Sequence, residues 1–124
     1  MWVYEQLTGR LYADNGVLLG VGYSGAGDCK NNPATQSMKD RGPIPVGQYR
    51  IGSPVNTVTH GPFVLQLTPN PQNEMFGRSG FLIHGDSVVN PGTASEGCII
   101  MSRDVRTAIV ESRDFDLQVI NQKV

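Results

Sequence analysis

The sequence is poor in the residues that build metal sites and cross-links. Its 124 residues hold two cysteines, Cys29 and Cys98, and two histidines, His60 and His84. The four are scattered, with no C-x₂₋₄-C or H-E-x-x-H pair, so neither a structural metal nor another cofactor is expected. One disulfide is the plain reading of two cysteines in an oxidising compartment; a reactive thiol is the other. Charge of one sign is lacking as well. Ten Lys and Arg stand against eleven Asp and Glu, a formal net charge of −1, which excludes an electrostatic footprint for nucleic acid or an anionic membrane. No apolar run approaches the ~18 residues of a membrane span. The opening Met1-Trp2-Val3-Tyr4-Glu5-Gln6 has no basic region leading into an apolar one, so no signal peptide for classical export is expected.

Turn residues are abundant instead. Fifteen glycines and eight prolines make up nearly a fifth of the chain, against ~12 % in average usage. Such punctuation excludes a mostly helical fold and favours short strands joined by tight turns in one domain over 1–124. Trp2 to Gln6, Arg10 to Ala13 and Val17 to Tyr23 read as an antiparallel meander, with Asp14-Asn15-Gly16 as one of its turns. Ser24 to Arg41 is a long polar loop without a period, and loops of that length in compact domains tend to be functional. Gly42-Pro43-Ile44-Pro45-Val46-Gly47 feeds a strand from Gln48 to Ile51; Phe63 to Leu67, Gly80 to His84 and Phe115 to Ile120 read as further strands. Ser102 caps one short helix with Val105, Ala108 and Ile109 on its apolar face, ending near Ser112. The expected fold is mostly β, a twisted sandwich or barrel-like sheet with one short helix.

The chemistry concentrates in Phe81-Leu82-Ile83-His84-Gly85-Asp86 and Ser95-Glu96-Gly97-Cys98-Ile99. A strand delivers a histidine at its end, and a glycine turn delivers a cysteine at the start of a buried segment. A thiol becomes a nucleophile by giving its proton to a neighbouring imidazole. Gly97 permits unusual backbone angles and close approach of a substrate, and amides near Gly97 and Cys98 are candidates to face an oxyanion. Asp86 or a carbonyl near Gly85 would orient the ring. Separately, a cysteine beside Ile99 and Ile100 reads as a small core residue, and a strand-ending histidine as a structural one. His60, in a turn-like segment, is expected to be exposed, and Cys29 to be a bystander.

These residues resemble a known family. His84-Gly85-Asp86 followed by Ser95-Glu96-Gly97-Cys98-Ile99 is similar to the H-G-x…S-x-G-C-I signature of YkuD-type L,D-transpeptidases. Gly42 to Tyr49 resembles that group's T-P-x-G-x-F segment, in the same order. The nearer resemblance is to the type VI secretion L,D-transpeptidase effector family, a smaller relative with G-P-I-P-x-G-x-Y and S-E-G-C-I. It also has a glycine- and asparagine-rich early segment like Gly22 to Gly25 with Asn31-Asn32-Pro33.

The resemblance implies a YkuD-type fold, Cys98 as nucleophile, His84 as general base, Gly85 as carbonyl partner of the imidazole, and Ser95 and Gly97 as shapers of the nucleophile turn. It implies a peptidoglycan stem tetrapeptide as substrate, a Cys98 thioester, and L,D-carboxypeptidase or D-amino-acid exchange activity. It further implies an antibacterial effector made in the cytoplasm and delivered by a secretion apparatus to a target's periplasm, with a cognate immunity protein as partner. Two positions depart from the wider pattern: Glu96 replaces a histidine, and Ile100 replaces the arginine that helps bind the substrate carboxylate. Arg78 is the candidate to take that carboxylate, with Glu96 beside it. A noncatalytic peptidoglycan-binding module, with Cys98 locked to Cys29 or buried away from His84, and a cysteine peptidase of ordinary peptides are the alternatives.

Overall fold

Glycine and proline cut the chain into nine short strands and a single helix among the described residues, 1–121, of the computed structural model. The strands are β1 (Trp2–Glu5), β2 (Arg10–Tyr12), β3 (Leu18–Val21), β4 (Tyr23–Ser24), β5 (Gly47–Thr57), β6 (Gly61–Pro69), β7 (Leu82–His84), β8 (Ile99–Ile100) and β9 (Asp116–Ile120). The helix α1 spans Arg103–Ser112. Its start follows from Ser102, whose hydroxyl accepts from the amide of Val105 at 3.2 Å. Its end follows from Arg113, which takes the left-handed conformation at φ 60°. Val105 and Ile109 are buried, as expected, and so is Arg106.

All nine strands form one sheet in the order β3-β2-β1-β9-β5-β6-β7-β8-β4. The expected meander is present as β1, β2 and β3, antiparallel throughout. The last strand, β9, lies parallel to β1 and antiparallel to β5, so it joins the meander to the rest. β5 runs on to Thr57 instead of stopping at Ile51, because its pairing with β6 continues across two irregularities, one of them at Pro54. A bulge is where a proline in a strand is tolerated. Ser24 to Arg41 holds two single 3₁₀ turns, Gly27–Cys29 and Pro33–Thr35.

The segment expected as one strand from Val17 to Tyr23 breaks at Gly22, and that break closes the sheet. β3 is one edge of the nine-strand order and β4 is the other, yet only Gly22 separates them in sequence. Consecutive Cα atoms stand 3.8 Å apart, so the two edges meet and the sheet curls into the barrel-like form. The meeting is backbone on backbone. The amide of Gly22 donates to the Gly9 carbonyl at 2.8 Å. A Cβ on Gly22 would land inside the carbonyl of Ile100, and one on Gly9 inside the carbonyl of Gly22. Trp2, Tyr4, Ile44, Leu65, Ile83 and Leu117 belong to the core enclosed by this closure.

Gly22→Ala is therefore expected to lower stability by roughly 2–4 kcal/mol, because the added methyl must displace main chain rather than a flexible side chain. Gly52→Ala, whose methyl would stand an ordinary 3.5 Å from the Gln66 carbonyl oxygen, is expected to stay within ~1 kcal/mol of the parent. Urea unfolding of the two variants checks the contrast.

Candidate active site

β7 and β8 lie side by side in parallel, with Ile83 opposite Ile99 and His84 opposite Ile100. Ile83 and Ile99 point into the core. By the two-residue alternation of strands, His84 and the residue entering β8, Cys98, share the other face. Both line one cleft of about 930 Å³. Its walls are the turn between β5 and β6, the loop after His84, and the Gly77–Phe81 segment.

The imidazole of His84 is buried, and its Nδ1 stands 2.8 Å from the Gly85 carbonyl oxygen. A carbonyl only accepts, so Nδ1 carries the hydrogen and Nε2 keeps its lone pair. Burial pushes the His84 pKa below its ordinary value; the Gly85 carbonyl opposes this, while His60 and Arg106 add to it. Burial likewise pushes the Cys98 thiol up, with Glu96 adding and the Leu82 amide and Arg78 opposing. Both shifts favour a neutral thiol beside a neutral imidazole over a resting ion pair.

Asp86 does not orient the ring. Its carboxylate accepts from the Tyr23 hydroxyl at 2.6 Å and from the amides of Ser87 and Gly92 at 2.8 and 3.0 Å. Slight burial works against its charge, but these donors and Lys30 outweigh it and hold its pKa below the usual range. The Tyr23 hydroxyl also accepts from the Ala94 amide at 2.9 Å. One tyrosine thus pins both ends of the loop that joins His84 to the nucleophile turn.

That turn is built from within. The buried Ser95 hydroxyl donates to the Cys98 carbonyl at 2.6 Å and accepts from the amides of Gly25 and Gly97 at 2.8 and 3.1 Å. The Gly97 amide is consequently turned to Ser95, which corrects its expected place facing an oxyanion. Gly97 sits at φ +143°, and a Cβ there would meet Arg78 Nη2 at 2.6 Å and Phe81 Cε1 at 3.0 Å. Ser24 Oγ donates to the Gly97 carbonyl at 2.7 Å and itself accepts from the Ile44 amide at 2.9 Å. Ser24 therefore ties the nucleophile turn to the Gly42–Gly47 motif.

Arg78 is not a solvated loop arginine. Its Nη1 donates to the carbonyls of Gln36 and Pro43, and its Nη2 to those of Gly42 and Glu96 at 2.9 and 3.3 Å. The terminal nitrogens expected to take a substrate carboxylate are thus already engaged with main chain. Glu96 is exposed at the cleft rim. The cysteines are both free: Cys29 Sγ lies 3.9 Å from Met38 Sδ, and Cys98 Sγ 4.0 Å from the Gly80 carbonyl oxygen. The disulfide reading is corrected accordingly.

Two cleft residues escaped the sequence reading. His60 is exposed, as expected, yet its ring centroid stands 4.7 Å from that of His84, tilted by 48°. No local signal marks it, since only the reach of the β5–β6 hairpin brings it there. Arg106 also lines the cleft. It follows Ser102 by four residues and precedes Ile109 by three, so a charge on the apolar stripe was the available signal. No cluster of metal-ligating side chains occurs among the described residues, and none of their helices is long and apolar enough to cross a membrane.

A family model described as the Tlde1 domain matches residues 20–121. No curated protein matches the chain. Among solved structures, the helical cell shape determining protein Pgp2 from Campylobacter jejuni is similar at 18 % identity and a TM-score of 0.62, over 99 % of this chain and 48 % of that one. Its K307A mutant matches with the same identity and score, over 99 % and 47 %. The chain thus spans about half the length of these structures, and the likeness bears out the expected mostly β fold with one short helix.

Two measurements probe the site. In an NMR titration the His84 ring is expected to protonate below the ordinary 6.5, and in His60→Ala its midpoint moves back up, because the opposing ring and part of its cover are removed. Arg78→Ala is expected to cost roughly 3–5 kcal/mol in urea unfolding, since it strips a buried cation from four carbonyls.

Proposed function

The chain belongs to the Tlde1 domain family, the type VI secretion L,D-transpeptidase effector family, and on that premise we propose that it is a peptidoglycan-modifying cysteine enzyme. Its substrate is the stem tetrapeptide, and its reaction is L,D-carboxypeptidation or exchange of the terminal D-alanine for a free D-amino acid. The observation that carries this reading is His84, fixed by the Gly85 carbonyl with Nε2 left as acceptor, in one cleft with a free Cys98.

Because both groups rest neutral, proton transfer accompanies attack. His84 Nε2 takes the thiol proton as Cys98 Sγ adds to the carbonyl carbon of the third residue. The imidazolium then gives that proton to the D-alanine nitrogen, the C–N bond breaks, and D-alanine departs. A thioester remains on Cys98. Water releases a tripeptide; a D-amino acid makes a new amide bond instead. Membership of the family supports an antibacterial effector role in a target's periplasm, with a secretion apparatus and an immunity protein as partners. The free Cys29 and Cys98 weigh against a binding module locked by a disulfide, and the D-alanine terminus distinguishes this enzyme from a peptidase of ordinary peptides.

Incubation of the protein with disaccharide tetrapeptide, with and without a D-amino acid, tests the reading. D-Alanine loss or replacement is expected, falling by at least ~10³-fold in Cys98→Ala and by ~10²–10⁴-fold in His84→Ala. Unchanged tetrapeptide, together with a Cys98 that alkylates readily, would overturn it.

A further inference from the structure

We infer that Arg106 holds the terminal carboxylate of the residue that leaves, so that the enzyme reads a free C-terminus; the inference rests on the reaction proposed above. Arg106 is 6 % exposed on α1. Its Nε donates to the Ser102 carbonyl at 3.3 Å, and its Nη1 to the carbonyls of Pro62 and Phe63 at 3.1 and 2.8 Å. Three carbonyls fix the guanidinium plane, and all of them use Nε and Nη1.

Nη2 makes no hydrogen bond to a described residue, yet it is not sealed away. The buried side-chain polar atoms without a partner, among the described residues, are Tyr4 Oη and Gln6 Oε1. Arg106 and Gly85 both line the cleft. A Cβ on Gly85 would lie 3.0 Å from Nη2, so this nitrogen stands against the residue next to His84.

Among the described residues no carboxylate pairs with Arg106. The ion pairs among the described residues join Met1 to Asp14 and Asp114, and Arg50 to Asp116. Asp86 is committed to Tyr23 and its loop amides. Burial and the nearby Arg103 both press the Arg106 pKa down, as expected of a cation lacking its anion. A pre-oriented guanidinium edge with free hydrogens suits a carboxylate.

The reaction's polarity says which carboxylate. His84 returns its proton to the leaving nitrogen, so the leaving residue lies on the His84 side of Cys98. The carboxylate of an α-amino acid is one carbon away from that nitrogen. It therefore falls beside Gly85, where Nη2 waits. An incoming D-amino acid presents its carboxylate at the same place, so one arginine serves departure and entry.

Tetrapeptide ending in D-alanine is compared with the same peptide ending in D-alaninamide, on the parent protein and on Arg106→Lys. The parent is expected to prefer the free acid roughly 10–100-fold in kcat/KM. In Arg106→Lys that preference shrinks towards unity. A purely structural role would lower both substrates alike and keep the ratio. Calorimetric binding of the two peptides to Cys98→Ala gives the same contrast without turnover, and the acid is expected to bind at least ~10-fold more tightly. Equal handling of acid and amide by the parent, or an undiminished preference in Arg106→Lys, overturns the inference. Acid-selective binding without any turnover would sustain Arg106 as the carboxylate site while removing the proposed reaction. Loss of both turnover and acid-selective binding would remove both.

Discussion

The closure of the sheet at Gly22 is the constraint on which the site depends. Edge strands present unpaired amides and carbonyls, and a barrel removes them by joining its ends. Here the join is a single residue, because Gly9, Gly22 and Ile100 approach main chain to main chain. Once β4 is held against β8, Tyr23 pairs with Ile100 and Ser24 with Ile99. That pairing delivers Ser24 Oγ to the Gly97 carbonyl and the Gly25 amide to Ser95. The Ser95–Cys98 turn is therefore shaped by residues some seventy positions upstream. Two motifs that look independent in sequence, Gly42–Gly47 and Ser95–Ile99, are joined through Ser24 and Arg78.

The polar groups around this turn are close to fully satisfied, and that explains how a chain without a disulfide or metal cluster among its described residues can hold a turn with no ladder bonds of its own. Ser95 uses its donor and accepts twice; Ser24 does both. A buried arginine bridging carbonyls costs desolvation, and burial lowers the Arg78 pKa accordingly. The carbonyls it gathers would otherwise be unpaired at a place where the chain folds back on itself. The arrangement trades a charged residue for order in loops that cannot make ladder bonds.

Much of this was legible in the sequence, and the boundary has a physical form. Short-range chemistry was readable: Ser102 as a helix cap, the turn at Asp14-Asn15-Gly16, and the period-two strands that became β6 and β9. The pairing of His84 with Cys98 was approached through glycine context and family resemblance. What was hidden depends on register and reach. Nothing near Gly22 says that the strands on either side of it belong to opposite edges. Nothing near His60 says that β5 and β6 extend far enough to lean an imidazole on His84. Arg78 lies in a polar stretch, where a solvated side chain and a carbonyl clamp look alike. Arg106 was different, because its place between Val105 and Ile109 already put a charge on the buried stripe.

The helix and the hairpin together show why that charge is tolerated. Phe63 takes φ 56°, an unfavourable angle for a bulky residue, and its carbonyl and that of Pro62 both turn to Arg106 Nη1. The Arg103 guanidinium covers the Phe63 ring at 4.3 Å. Arg103 and Arg106, one turn apart on the same face of α1, thus grip the hairpin beside the tip that carries His60. The strain at Phe63 is offset by these contacts, and the hairpin becomes a fixed wall of the cleft instead of a free flap. The same bonds hold Arg106 flat, with one nitrogen left over beside Gly85. A guanidinium bound by carbonyls keeps its charge, and Arg106 and His60 both disfavour protonation of His84. An anion arriving at Nη2 would relieve that field, so in the reaction proposed above a bound carboxylate would make the imidazole a stronger base.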